Sequence, residues 1–169
     1  LSMGGIVALE LLRQSPKKIN KLILMDTNHK AEPEHISIKR EHQIREVEKG
    51  NLQKVMIEEH IPNYLADGST TCSIANLCLK MALQLGAKVF TQQSRALMSR
   101  IDQTTTLQNI EVPTMLICGK YDRLCDVGIH QKMHKLIKNS KFNIINDAGH
   151  LPTLESPTKT NRILKEWLD

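Results

Sequence analysis

The sequence predicts an α/β fold: a mostly parallel sheet with flanking helices and an inserted helical cap. Two observations carry this. Short apolar runs at 21–26, 114–119 and 141–146 alternate with stretches of helical period, as strands joined by helical crossovers do. Between the first and second runs, residues 31–102 are polar, helical in period and without a convincing strand, so they read as an insertion rather than a sheet layer. The length, 169 residues, suits one domain of about 100–200 residues or a piece of a larger one.

The elements follow in order. The run Ile6-Val7-Ala8-Leu9-Glu10-Leu11-Leu12 is apolar on nearly all sides, which predicts a buried helix. Ser15-Pro16 ends it, and Lys17 and Lys18 stand near its C-terminus, where cations are favoured. Lys21-Leu22-Ile23-Leu24-Met25-Asp26 predicts a strand buried on both faces. Three helical stripes come next: Leu52, Val55 and Met56; then Ile74, Leu77, Cys78, Met81, Ala82 and Leu85; then Phe90, Leu97, Met98 and Ile101. With Gly86 as a stop and Asp67-Gly68-Ser69 as a turn, the insertion reads as about four helices. Beyond Val112-Pro113 the alternation resumes with a strand over Thr114–Gly119. A helix with Ile129, Met133, Leu136 and Ile137 on one face follows, and then a strand over Lys141–Asn146. The last helix opens at Ser156-Pro157, as N-cap and first-turn proline, and its apolar face carries Ile163, Leu164, Trp167 and Leu168.

Composition narrows the function. Lysine and arginine outnumber aspartate and glutamate by 23 to 18, a net charge of +5, but the two signs are interspersed, as in Lys39-Arg40-Glu41-His42. With 3% aromatic residues there is little for a base-stacking platform, and nucleic acid is excluded as the expected partner. No apolar run approaches the roughly 18 residues of a membrane span. Cys72, Cys78, Cys118 and Cys125 form no CxxC pair and no zinc spacing, and they are too few for a disulfide framework, so a reducing, cytoplasmic setting is expected. His130 and His134 lie four apart on a predicted helix, but the glutamate of a His-Glu-x-x-His metal site is missing. They read as solvated surface, and no metal or cofactor is expected.

Three residues stand where open α/β sheets carry their chemistry. Ser2, before Met3-Gly4-Gly5, opens a helix at a turn that favours small neighbours. Asp122, in Gly119-Lys120-Tyr121-Asp122, lies just beyond one apolar strand, and His150, in Asp147-Ala148-Gly149-His150-Leu151-Pro152, lies just beyond the next. Each alone is weak, and Ser2 by itself reads as a helix cap. Together they run in the chain order Ser, Asp, His. Asp126 is a rival carboxylate, better placed to cap the following helix. Met56, Met81, Phe90 and Met98 are candidate pocket residues, although methionine more often fills gaps between helices.

These segments resemble the α/β-hydrolase family. Leu1-Ser2-Met3-Gly4 is similar to the family's Gly-x-Ser-x-Gly nucleophile elbow, with the first glycine falling one residue before the chain. Gln93-Ser94-Arg95-Ala96-Leu97-Met98, Val112-Pro113-Thr114, Gly119-Lys120-Tyr121-Asp122 and Ala148-Gly149-His150-Leu151-Pro152-Thr153-Leu154-Glu155 resemble the enol-lactonase and small carboxylesterase branch. The resemblance implies that Ser2 is the nucleophile, His150 the general base and Asp122 the acid that orients it, with the Met3 N–H as one oxyanion donor. It divides the chain into core at 1–29, helical cap at 30–102 and core again at 103–169.

The function so implied is a serine hydrolase that cleaves a small carboxylic ester or lactone. An acyltransferase, a C–C bond hydrolase and a non-catalytic hydrolase-like binding domain stand as alternatives. Aspartate-dependent dehalogenases and epoxide hydrolases are disfavoured by the serine. The resemblance also implies that an N-terminal half, holding a second oxyanion donor, precedes Leu1. A sheet edge left unpaired in this way would favour a homodimer.

Overall fold

The computed structural model describes residues 1–66 and 71–169; the expected turn at Asp67-Gly68-Ser69 lies outside the described residues. The apolar runs form three strands, β1 (Leu22–Met25), β2 (Thr114–Gly119) and β3 (Ser140–Ile145), all parallel and in the order β1-β2-β3. Leu22 pairs with Thr114, and Thr114 with Ser140. β2 is buried at every position, as a central parallel strand must be.

Alternation along the strands splits the core in two. On one face, Leu22, Leu24 and Leu116 meet Leu9 and Leu12 of α1 (Met3–Gln14), Leu107 of α5 (Thr104–Gln108) and Met133 of α6 (Val127–Leu136). On the other, Met25, Met115, Ile117 and Ile145 meet Ile163, Leu164 and Trp167 of α8 (Pro157–Leu168). A short helix, α7 (Pro152–Glu155), precedes α8.

Between β1 and β2 run α2 (Glu34–Glu48), α3 (Leu52–Val55) with a π-helical turn over Met56–His60, and α4 (Thr71–Met98). Gly86 adopts φ 79°, a left-handed conformation that breaks α4 there, so the sequence stop appears as a kink. These helices share a small core of their own: Val47, Leu52, Val55 and Met56, with Tyr64, Leu79 and Phe90 against them. Met56 and Phe90 thus pack helix to helix, whereas Met81 stays about half exposed.

The two stems of the helical segment are tied by charge. The Glu32 side chain is 1% exposed, and it receives Arg100 at 2.5 Å as well as the Arg40 guanidinium. Arg100 also donates to the Lys30 carbonyl at 2.9 Å, and Lys30 pairs with Asp102 at 3.1 Å. Removing one partner of a buried ion pair leaves an uncompensated charge. Glu32→Ala is therefore expected to destabilise the protein by about 3 kcal/mol or more in urea titration, whereas loss of the exposed Arg162–Glu166 pair should cost less than about 1 kcal/mol.

Several expectations are corrected. α5 was not expected; its Thr-Thr-Thr stretch is a poor helix former, and burial of Leu107 holds it in place. α1 is buried along Gly5, Leu9 and Leu12 only, with Val7 and Leu11 exposed. Ser156 stands at the α8 cap position, but its hydroxyl donates to Asp147 rather than capping. Leu168, the last residue of α8, is exposed. His130 is fully buried, not solvated: its Nε2 accepts the Thr27 N–H at 3.2 Å, and its Nδ1–H donates to the Asp126 carbonyl at 3.0 Å. That ring is a neutral tie between α6 and the end of β1. Burial, ahead of any nearby charge, holds its pKa below the usual value.

Candidate active site

The site lies at the C-terminal ends of the three strands. Ser2 precedes α1 with φ 49° and ψ −121°, a conformation that non-glycine residues rarely adopt. Its N–H donates to the Met25 carbonyl at 2.9 Å, and the Thr27 hydroxyl donates to its carbonyl at 2.7 Å. Thr27 also presses on α1: a Cβ at Gly5 would stand 2.5 Å from the Thr27 Oγ1, whereas one at Gly4 would meet nothing within 4 Å. The small residue the turn needs is therefore Gly5. Met3 begins the helix, where its N–H has no acceptor in the helical ladder, and the helix N-terminus favours negative charge beside it.

The structure brings Ser2, His150 and Asp122 together. The Ser2 hydroxyl donates to His150 Nε2 at 2.8 Å, and His150 Nδ1–H donates to Asp122 Oδ2 at 2.9 Å. The other oxygen of Asp122 accepts the N–H groups of Leu124 at 2.8 Å and Cys125 at 3.0 Å. Asp122 and His150 are buried, and Ser2 is half-buried. Burial works against the charge on Asp122. The hydrogen bond and charge of His150, with the two backbone donors, outweigh it and hold the carboxyl below its ordinary pKa. Asp126, the rival, caps α6 by accepting the Ile129 N–H at 2.8 Å. Cys125 is a half-buried thiol, pushed well above the usual range by desolvation and then by Asp122 and Asp26.

Three contributors escaped the sequence reading. Tyr64 stacks on the His150 ring, with centroids 6.0 Å apart, and its carbonyl accepts the His150 N–H at 2.8 Å. Nothing in the sequence around Tyr64 marks it. Glu155 gathers the histidine loop: Oε1 accepts the N–H groups of Gly149 and Leu151, and Oε2 that of Ala66. In the sequence it is marked only as the last residue of the segment Ala148–Glu155 that resembles the family. Asp26, at the end of β1, is wholly buried beside Asp122. Its place just after an apolar strand was a signal of the same kind that marked Asp122.

Residues 1–157 match the family model described as the alpha/beta hydrolase fold. The chain belongs to that family. Among solved structures, an esterase from Thermogutta terrifontis superposes with a TM-score of 0.93 at 27% identity, over 99% of this chain and 62% of the esterase. The enol-lactonase from Burkholderia xenovorans superposes with a TM-score of 0.83 at 16% identity, over 99% of this chain and 62 to 64% of such neighbours' length, 63% in its case. A putative 2-succinyl-6-hydroxy-2,4-cyclohexadiene-1-carboxylate synthase of Bacillus subtilis is 36% identical over 63 residues, 37% of this chain and 22% of the synthase. The chain thus spans under two thirds of the length of these α/β-hydrolase relatives, and it resembles the small esterase and enol-lactonase branch. Among the described residues, no helix is long and apolar enough to cross a membrane.

Proposed function

We propose that this α/β-hydrolase chain carries the nucleophile, base and acid of a serine hydrolase acting on a small carboxylic ester or lactone. The observation that carries the reading is the unbroken relay of 2.8 and 2.9 Å from Ser2 through His150 to Asp122. Ser2 Oγ attacks the acyl carbon as its proton passes to His150 Nε2. The imidazolium returns that proton to the leaving alcohol, and water then repeats the sequence on the acyl-enzyme. Asp122 keeps the imidazole in the required tautomer. The Met3 N–H, backed by the α1 dipole, supplies one donor to the developing oxyanion. Residues 30–102, with a hydrophobic core separate from the sheet's, act as a cap over the site. Tyr64, against the His150 ring, forms part of the pocket wall. The likeness to a Thermogutta esterase along nearly the whole chain favours ester substrates.

Intact-mass analysis after fluorophosphonate treatment tests this. A single adduct is expected on the parent protein, with none on Ser2→Ala or His150→Ala. A folded parent that takes no adduct, or a Ser2→Ala protein that still takes one, removes the reading. Short-chain p-nitrophenyl esters and lactones then define the acyl group.

A further inference from the structure

Beside the relay lies a second carboxyl group that the hydrolytic reading leaves unused. Asp26 directly follows β1, is fully buried and adopts φ 44°, a left-handed conformation that aspartate tolerates better than most residues. Its N–H donates to the Ile117 carbonyl at 3.0 Å, and its Oδ1 accepts the Gly119 N–H at 2.8 Å. Its Oδ2 is buried with no hydrogen-bond partner, a costly arrangement for an ionised oxygen. A carboxylate oxygen of Asp26, one of Asp122 and the Cys118 sulfur all lie within 4.8 Å of one another.

The allocation of protons follows from donor counts. Two ionised carboxylates this close in a buried site repel strongly, so one of them keeps a proton. Asp122 has three donors, from Leu124, Cys125 and His150, and a carboxylate offers about four lone-pair sites. Asp26 has one side-chain donor, from Gly119. The ionised member of the pair is therefore Asp122, and one acceptor site on it is still open.

We propose that Asp26 is a positioning residue of the relay, held protonated with its Oδ2–H turned to the open lone pair of Asp122, so that the pair carries one negative charge and Asp122 is fixed for His150. Its catalytic consequence rests on the serine-hydrolase reading; the location of the proton does not. Burial, with Asp122 adding to it and the Gly119 N–H opposing, pushes Asp26 up to about 9. The side chains facing it are Asp122 and Cys125 from the loop after β2 and Cys118 from β2. Both thiols stay protonated, since burial raises each of them far above the usual range. The Cys118 thiol donates to the Gly119 carbonyl at 3.1 Å. A proton shared with Asp122 satisfies the orphaned Oδ2.

The test pairs Asp26→Asn, which keeps an acceptor for Gly119 and puts an amide N–H where the carboxyl O–H stood, with Asp26→Ala, which keeps neither. Carbon-13 NMR of aspartate-labelled protein should show one carboxyl, missing from Asp26→Asn, that is still protonated at pH 7 and titrates near pH 9. Asp26→Ala should lose about tenfold or more in kcat with KM little changed; Asp26→Asn should recover most of that loss, and should lack the fall in rate expected of the parent as Asp26 ionises near pH 9. Folding makes Asp26 take up a proton, so its contribution to stability is complete below pH 3.8 and declines as pH rises towards about 9. The melting temperature of Asp26→Asn should lack that decline. An Asp26 ionised at pH 7, or an Asp26→Asn as impaired as Asp26→Ala, overturns the proposal. A protonated Asp26 in a parent that hydrolyses no ester or lactone removes the hydrolase reading, and with it the positioning role, while the shared proton stands.

Discussion

Asp122→Asn is expected to lower kcat for ester hydrolysis by about 10⁴-fold while leaving the protein folded. The amide oxygen still accepts the Leu124 and Cys125 N–H groups, which organise the loop after β2, so the backbone has no reason to move. What changes is the group offered to His150 Nδ1. A carboxylate there accepts a proton at 2.9 Å; an amide NH₂ donates instead, so Nδ1 must become an acceptor and the ring proton must shift to Nε2. Nε2 then faces the Ser2 hydroxyl at 2.8 Å with a proton of its own and cannot take another. A kcat loss below about tenfold, with the thermal transition unchanged, would mean that Asp122 does not set the tautomer. The acid limb of the parent carries the same signature. Asp122 is held below its ordinary pKa, so its support for the fold is present above that ordinary value and is lost as pH falls through the lowered one.

The strands and the relay were legible because each was written locally. β1, β2 and β3 are short apolar runs, and Asp122 and His150 stand just past two of them. Residues whose role depends on what packs against them were not. His130 reads as surface by its polarity, yet it lies three residues before Met133 on the buried face of α6 and seven before the buried Ile137 that follows the helix. Periodicity was the better guide there, and the Thr27 N–H that makes burial tolerable comes from 103 residues away. α5 has almost no local preference for helix, and Leu107, fully buried between α1 and α6, supplies the reason it forms. Tyr64 reaches the site through chain that lies 86 residues before His150. Asp26 occupies a strand end much as Asp122 does, and only its orphaned oxygen sets it apart. Sequence placed the three members of the Ser2–His150–Asp122 relay; the groups that hold them were set by tertiary contact.

Gly119→Ala is expected to destabilise the protein by about 3 kcal/mol or more, a fall of roughly 6–12 °C in Tm for a chain of this size. Gly119 ends β2 against the histidine loop. A Cβ there would overlap the Gly149 carbonyl and stand 2.7 Å from the Ala148 oxygen and 2.8 Å from the Gly149 carbonyl carbon. All of these are backbone atoms of the turn that carries His150, so no side-chain rotation relieves the overlap. Retreat is blocked as well: a Cβ on Gly149 would lie 2.6 Å from the Ala66 nitrogen, which places the backbones of β2, the histidine loop and the 64–66 segment in direct contact. The loop can therefore yield only by shifting, and a displacement of about 1 Å in a catalytic group costs on the order of 10²-fold in rate. The same exchange at Gly4, where a Cβ meets nothing within 4 Å, serves as the control and should leave Tm unchanged or raise it slightly, since alanine is the better helix former. If Gly119→Ala melts within about 2 °C of the parent, less than 1 kcal/mol at this size, the contact is looser than it stands here. In that case the glycine is not what sets the distance between Asp122 and His150.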